Sequence, residues 1–495
     1  MSRQTAIKSI FWLTFSEILF NLSGYIIHAV AGRVLGPADY GRYSLVITLT
    51  TVIVVLIGNG IPTAMSKYLS EVFEKDPQMV PVIKKQGIRL QLMLMGLVTI
   101  AFFLAAPLIA YALNDATLTP LFRLSSLIIP AFAAASFYFS YFTGLHRFDY
   151  QSTLKSFRSV MRIVVTVSFV VLFGLNGAIL GYVIAPLLTF LLGLYLDKRL
   201  SDSAILKQAQ GNDAPQADAR EFPYRKLLLY AWPLTLFMLF YELFISIDLY
   251  LVKSILKDDV ATGIYNAALT IGRIPYYLFY ALSIFLLPAL AKMNSEKDVA
   301  KMKTLMTQSL RYAGIILLPV FVLIFAYAEP ITLLFFGNKF AAAAPVLRIL
   351  TLGLSFLTVF YLICSALNGI GHATLSMRLA VIGTVASTAL NYIFIQRYGL
   401  IGAAYATTLS AMITTLISLL ISQRYIPITF HWNGILKTIL SGGALWYAVL
   451  LFPAHDWRFI PYGIVFAALY IAALFFTGVI TKEDVSRFRA KKSLA

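Results

Sequence analysis

Arg273 stands in the run Gly272-Arg273-Ile274-Pro275-Tyr276-Tyr277, inside a stretch otherwise built mainly of apolar residues. A guanidinium offers a planar fork of donors that grips two phosphate oxygens at once, a geometry matched to a diphosphate. The adjoining Tyr276 and Tyr277 bring hydroxyls and aromatic faces suited to sugar. Arg273 lies about ten residues from the start of its apolar segment, roughly 15 Å along a helix and near the middle of a bilayer. Two readings stand side by side: a ligand contact, or a structural partner for Glu242 or Asp248 one segment earlier.

A second basic group is Lys155, Arg158 and Arg162. Their i, i+3, i+7 spacing places all three on one helix face, climbing ~10 Å inward. That is a ladder for an anionic headgroup, or, for Lys155 and Arg158, simple snorkelling toward the interface. Among acidic residues, Glu17, Glu242 and Asp248 lie in apolar segments, with Asn21 and His28 following Glu17. A carboxylate in low dielectric exchanges a proton or holds a cation, which suits coupling to an ion gradient of protons or sodium. It serves equally as the partner of a nearby base. Arg123 and Arg348, at segment ends, read as interface anchors. Lys67, Ser70 and Glu71, with Lys292, Ser295 and Glu296, read as caps and gates.

The elements that must carry these residues follow from composition. Of 495 residues, 59% are apolar and 13% charged, against about 45–50% and a quarter in soluble domains. The mean hydropathy is +0.80. At ~20 residues per crossing, the apolar content fills roughly fourteen spanning helices. A soluble enzyme, a disordered scaffold and a secreted disulfide module are excluded. The net charge of +18 would suggest nucleic acid in a soluble chain; in a membrane protein it reflects basic cytoplasmic loops, and no nucleic-acid partner is expected. The single Cys364 leaves no intramolecular disulfide. The first apolar stretch, Ile10 to Val34, contains Glu17 and is too long for a removable leader, so it reads as a spanning helix.

Fourteen apolar segments run over 9–33, 43–65, 88–112, 121–144, 154–174, 177–197, 228–252, 263–290, 308–328, 346–369, 375–396, 400–422, 435–453 and 459–480. Gly174-Leu175-Asn176-Gly177 and Arg397-Tyr398-Gly399-Leu400 are tight connections, whereas 198–227 is a polar linker. With both termini cytoplasmic, the inner segments and the helix ends bordering them hold about 28 of the 40 basic residues, a strong positive-inside bias.

The two halves repeat at an offset of 225. Pro120-Leu121-Phe122-Arg123-Leu124 answers Pro345-Val346-Leu347-Arg348-Ile349, and Gly144 answers Gly369. Gly174-Leu175-Asn176-Gly177-Ala178 answers Gly399-Leu400-Ile401-Gly402-Ala403, and Glu17 answers Glu242. After the first outer loop the offset is 222, pairing Gly41 and Tyr43 with Gly263 and Tyr265. Six segments per half is an even number, so a pseudo-twofold along the membrane normal is expected, with a substrate site between repeats near mid-bilayer. The expected organisation is an N-lobe over 1–197, the linker 198–227, a C-lobe over 228–422, and 423–495 holding two further helices and a basic tail.

With six, six and two helices, the string Val34-Leu35-Gly36-Pro37-Ala38-Asp39-Tyr40-Gly41-Arg42-Tyr43-Ser44, and Gly263-Ile264-Tyr265-Asn266-Ala267-Ala268, the chain resembles the polysaccharide-transport branch of the multidrug/oligosaccharidyl-lipid/polysaccharide exporter superfamily. The resemblance covers nearly the whole chain. It implies an all-α, V-shaped, two-lobed exporter in the cell membrane that flips lipid-linked oligosaccharide of the undecaprenyl-diphosphate type, alongside other polysaccharide-assembly proteins. In that setting Arg273, Arg162, Arg158, Tyr276, Tyr277 and Asn21 are substrate-cavity candidates, and Glu17, Glu242 and Asp248 are ion-coupling candidates. The first segment lacks the mid-membrane arginine of lipid II flippases, which favours an O-antigen, capsule or exopolysaccharide unit. A cation-coupled multidrug exporter is the alternative within the superfamily. A membrane-embedded glycosyltransferase or polymerase would need larger outer loops than these, all under about twenty residues by hydropathy. No catalytic residue, metal cluster, cofactor or Walker-type phosphate loop is expected.

Overall fold

The computed structural model describes residues 3–58, 60–73, 76–201, 235–454 and 456–481. Most of the linker expected over 198–227, and the basic tail past 481, lie outside the described residues. All regular structure among the described residues is helical. That follows from the solvent, because lipid offers no hydrogen bonds and each spanning backbone must satisfy its own polar groups.

The chain divides into two compact units. The first, residues 1–246 with 257–260, holds α1 (Arg3–Gly58), α2 (Gly60–Val72), α3 (Met79–Ala112), α4 (Thr119–Ser125), α5 (Ile128–Gly144) and α6 (Phe148–Ser201), then α7 (Thr235–Phe244). The second unit, 247–256 and 261 onward, holds α8 (Ile247–Leu256), most of α9 (Asp259–Gly272), α10 (Ile274–Ser295), α11 (Val299–Ala326) and α12 (Ala328–Phe336). It continues with α13 (Ala343–Gly369), α14 (Ala373–Ser422), α15 (Trp432–Leu451) and α16 (Phe459–Phe476).

Nine of the described helices are long and apolar enough to cross a membrane. Three of these, α1, α6 and α14, run 56, 54 and 50 residues, more than twice the ~20 that one crossing needs. Each is broken by one glycine in a backbone conformation closed to other residues: Gly36 (φ 73°), Gly174 (φ 58°, ψ −134°) and Gly399 (φ 58°, ψ −136°). Two of those breaks fall in the tight connections expected at 174–177 and 397–400. Large apolar side chains such as Phe476, Tyr111 and Met93 are exposed on helix surfaces, where lipid covers them. The protein is a multi-pass membrane protein.

The 225-residue repeat is written into local geometry. A Cβ on Gly177 would stand 1.9 Å from the Phe169 carbonyl oxygen, and one on Gly402 would stand 2.0 Å from that of Phe394. The ends of α5 and α13 match in the same way. Arg147 N–H donates to the Phe142 carbonyl (2.8 Å) past His146 at φ 54°, and His372 N–H donates to Leu367 (2.9 Å) past Gly371 at φ 89°. Both are helix stops of the Schellman type.

The kink expected from Pro275 is a break of the helix. α9 ends at Gly272 and α10 begins at Ile274 with the proline in its first turn, where the missing N–H costs nothing. Arg273 occupies the joint. A second break, at Ile245-Ser246, separates α7 from α8 just before Asp248.

Candidate functional site

In the first unit, α1 and α6 bring three pairs together at one constant separation in sequence. Lys155 is ion-paired with Glu17, the Arg158 guanidinium lies 5.0 Å from the Phe20 ring, and Arg162 Nη1 would stand 3.8 Å from a Cβ on Gly24. On α1 these partners are themselves spaced i, i+3, i+7, so the two helix faces run side by side in the same direction. Arg158 is only 8% exposed. Its guanidinium also sits over Phe132 (4.3 Å) and Phe139 (5.7 Å), in an aromatic box. Of the two readings for Lys155 and Arg158, snorkelling does not describe this arrangement: one base is paired and the other enclosed. Arg162 extends the ladder, its Nη2 donating to the Tyr182 hydroxyl at 3.0 Å. Tyr43, fully buried, donates to that same hydroxyl at 3.1 Å. Beside them His28 Nδ1 and the Tyr40 hydroxyl are 2.9 Å apart.

In the second unit the corresponding centre is acidic. Asp248 on α8 is 0% exposed. Its Oδ2 accepts the Tyr265 hydroxyl of α9 (2.8 Å) and the Thr407 hydroxyl of α14 (3.0 Å), and its Oδ1 accepts Leu249 N–H (2.8 Å). Asn391 Nδ2 in turn donates to Thr407 Oγ1 (3.2 Å) and to the Ser387 carbonyl (3.0 Å). The Asn391 carbonyl oxygen is buried with no hydrogen-bond partner among the described residues. Carboxylate, hydroxyl and amide oxygens gathered in one buried place are what a hard cation takes as ligands, and an orphaned carbonyl oxygen in such a place calls for a donor or a cation. Arg273 lies within electrostatic reach of the Asp248 carboxylate and the Tyr265 hydroxyl.

The two centres are repeat equivalents. Tyr43 answers Tyr265 and Tyr182 answers Thr407; Tyr43 donates to Tyr182 directly, whereas Tyr265 and Thr407 both donate to the Asp248 carboxylate between them. The charges differ: Arg162 stands where the second unit has Ser387, and Asp248 stands where the first has Ser23. One scaffold thus presents a cation in one unit and an anion in the other.

The remaining expected residues fall outside these networks. Tyr276 packs edge-on against Tyr361 (5.3 Å) and against Tyr277 (5.2 Å), which is itself exposed. Asn21 is half-buried one turn after Glu17, and Glu242 is half-buried on α7. Arg123 sits over the Phe103 ring at 5.2 Å, whereas Arg348 lines a cavity rather than a bare interface. Sequence reasoning did not single out Thr407, Asn391, Tyr182 or the phenylalanine box. Tyr43 and Tyr265 were visible as a repeated pair, and a tyrosine repeated in apolar surroundings signals a hydroxyl that needs a partner.

An all-α chain with these apolar helices, glycine-broken double crossings and charged buried centres belongs to the class of multi-pass helical membrane proteins. Similarity to known proteins makes this particular. The family model for polysaccharide biosynthesis proteins matches residues 6–294, and a MatE model matches residues 233–393. The chain belongs to the polysaccharide biosynthesis protein family. It is 26% identical to the uncharacterized membrane protein MJ1375 of Methanocaldococcus jannaschii, covering 83% of this chain and 96% of that one. It is 25% identical to the probable low-salt glycan biosynthesis flippase Agl15 of Haloferax volcanii, over 37% of this chain and 40% of that one. Among solved structures, the lipid II flippase MurJ in its inward closed conformation superposes with a TM-score of 0.71 at 18% identity, covering 94% of this chain and 98% of that one. That likeness establishes the fold.

Proposed function

We propose that this protein is a flippase for lipid-linked oligosaccharide. It carries a polysaccharide repeat unit on an undecaprenyl-diphosphate-type carrier from the cytoplasmic to the outer leaflet of the cell membrane, by alternating access, with both termini cytoplasmic. The function is transport rather than catalysis, and the partners are the bilayer, the lipid-linked cargo and other polysaccharide-assembly proteins. The observation that carries this reading is Arg273: a guanidinium at a helix break, mid-segment, within electrostatic reach of a fully buried carboxylate. Family membership and the glycan-flippase name of Agl15 support it.

In this reading Arg273 holds the cargo diphosphate, Tyr276 and Tyr277 meet its sugars, and the Arg158–Arg162 ladder with Asn21 guides the anionic headgroup. Asp248, with Thr407 and Asn391, takes the coupling proton or sodium ion; Glu17 and Glu242 are the further ion-coupling candidates. A charge taken up at Asp248 removes the counter-charge of Arg273 and strengthens its hold on phosphate, which ties cargo to ion. A cation-coupled multidrug exporter is the second reading, favoured by the MatE match over 233–393. The helices α15 and α16 lie beyond that match and speak for the lipid-linked cargo.

The test is cargo affinity in Arg273 variants. Arg273→Ala should weaken binding of the lipid diphosphate about 10- to 150-fold, the worth of a charge-assisted contact. Arg273→Lys keeps the charge without the fork and should fall between. If Arg273 is only the structural partner of Asp248, Arg273→Ala lowers folded yield, Asp248→Asn restores it, and cargo affinity in the double variant equals that of the parent. That outcome would remove the substrate role.

A further inference from the structure

The second unit contains a cavity of about 300 Å³ at the C-terminal end of α11, walled by α12, the start of α13 and the end of α15. It lies apart from the Asp248 centre in residues and in chemistry. Its charged side chains are Glu329 on α12 and Arg348 on α13, and its aromatic ones include Phe325, Tyr327 and Trp446. The Phe325 and Trp446 rings stand edge-to-face at 5.3 Å. Arg348 Nε is buried with no hydrogen-bond partner among the described residues, and the side chain lines the cavity.

Depth narrows the ligand. Arg348 is five residues inside the start of α13 and Trp446 five residues before the end of α15, each roughly 7–8 Å along its helix. Both therefore stand near the ends of their helices, toward the bilayer surface where tryptophan concentrates. Val449 and Leu450 complete the wall on α15 with apolar surface. A guanidinium suits a phosphate. A carboxylate beside an aromatic pair suits an ammonium. A volume at the lower end of small-ligand pockets fits a headgroup rather than an oligosaccharide.

We propose that this cavity binds the headgroup of a zwitterionic phospholipid carrying a phosphate and a primary ammonium, with Arg348 on the phosphate and Glu329 and the Phe325–Trp446 pair on the ammonium. A resident lipid here seats α15 against α11 and α13.

The experiment uses the full chain, delipidated in detergent, titrated with phosphatidylethanolamine, phosphatidylglycerol or water-soluble glycerophosphoethanolamine, with bound ligand counted by native mass spectrometry. Phosphatidylethanolamine should bind about tenfold or more tighter than phosphatidylglycerol, since only it engages both charges. Arg348→Gln should weaken both lipids by a similar factor. Glu329→Gln should weaken phosphatidylethanolamine alone and abolish the preference. Weak competition by the soluble headgroup identifies the membrane lipid as the ligand, whereas competition as strong as the lipid's would make it a free phosphate site and overturn the lipid assignment. No headgroup preference, loss of both lipids alike in Glu329→Gln, or displacement by a neutral oligosaccharide also overturns it. Equal melting temperatures without lipid show that the variants fold. If Arg348→Gln does not fold, Arg348→Lys must keep the preference at reduced affinity, and binding unchanged from the parent counts against the assignment.

Discussion

Tyr43 and Tyr265 occupy equivalent places in the repeat, both fully buried, yet their hydroxyls meet different partners. Tyr43 donates to a neutral hydroxyl at 3.1 Å and Tyr265 to a carboxylate at 2.8 Å. A neutral hydrogen bond between membrane helices is worth on average about 0.6 kcal/mol, whereas one to a charged group is worth about 1.5–3 kcal/mol. Tyr43→Phe should therefore cost about 0.6 kcal/mol and Tyr265→Phe some 1–2.4 kcal/mol more, about a 5- to 60-fold difference in unfolding equilibrium. Both variants delete one hydroxyl from a buried ring, so packing losses largely cancel in the comparison. The assay is reversible unfolding in mixed micelles, with Asp248→Asn as the background control. In that background the gap between the two tyrosines should close. Equal costs in the parent would mean that Asp248 carries no charge in the folded protein, and its place as the counter-charge of Arg273 would be wrong.

Further expectations bear on the fold. Gly177→Ala and Gly402→Ala each force a Cβ to about 2 Å from a carbonyl oxygen, so both should reduce folded yield in membranes severely and to the same extent; tolerance of either shows that the repeat junction is soft. Asp298, outside the spanning segments, caps α11 by accepting Lys301 N–H at 3.0 Å. Its hydrogen bonds to the Lys301 side chain and backbone hold its carboxyl below the ordinary aspartate range. The cap's contribution is thus full above the ordinary aspartate pKa and lost only as pH falls through the lowered one. Amide exchange in the first turn of α11, corrected for intrinsic rate, should stay protected down to that range, and loss of protection already near neutral pH would contradict it. For topology, a cysteine placed at Ser203 should react with impermeant reagents from the cytoplasmic side only. Cys364 is fully buried and leaves the signal to the new site; labelling from outside reverses the orientation.

Much of the axial order was legible in the sequence, because hydropathy and glycine act locally. Gly174 and Gly399 stand in tight connections recognised from their neighbours, and Pro275 marks the break that places Arg273 at a joint. The 225 offset could be read from residues alone and recurs as near-identical backbone angles. Rotation about each helix was less legible. The Lys155, Arg158 and Arg162 face followed from spacing, but the opposing face of Glu17, Phe20 and Gly24 lies 138 positions away, and nothing local says which helices meet. Asp248 was singled out as a carboxylate in apolar surroundings. Its partner Thr407 lies 159 positions on and looks like any helix threonine until the fold brings it there. Arg348 read as an interface anchor, because its cavity is made by α12 and α15, elements that packing alone brings to it.

The most direct test of the whole account is flipping itself, measured in liposomes holding the purified chain and a fluorescent sugar on an undecaprenyl-diphosphate carrier. A membrane-impermeant quencher added outside reports the accessible fraction. The account predicts protein-dependent flipping that responds to an imposed proton or sodium gradient, with Arg273→Ala nearly inactive and Asp248→Asn insensitive to the gradient. Flipping no faster than in empty liposomes, with gradient-driven movement of small cationic drugs in its place, would contradict it.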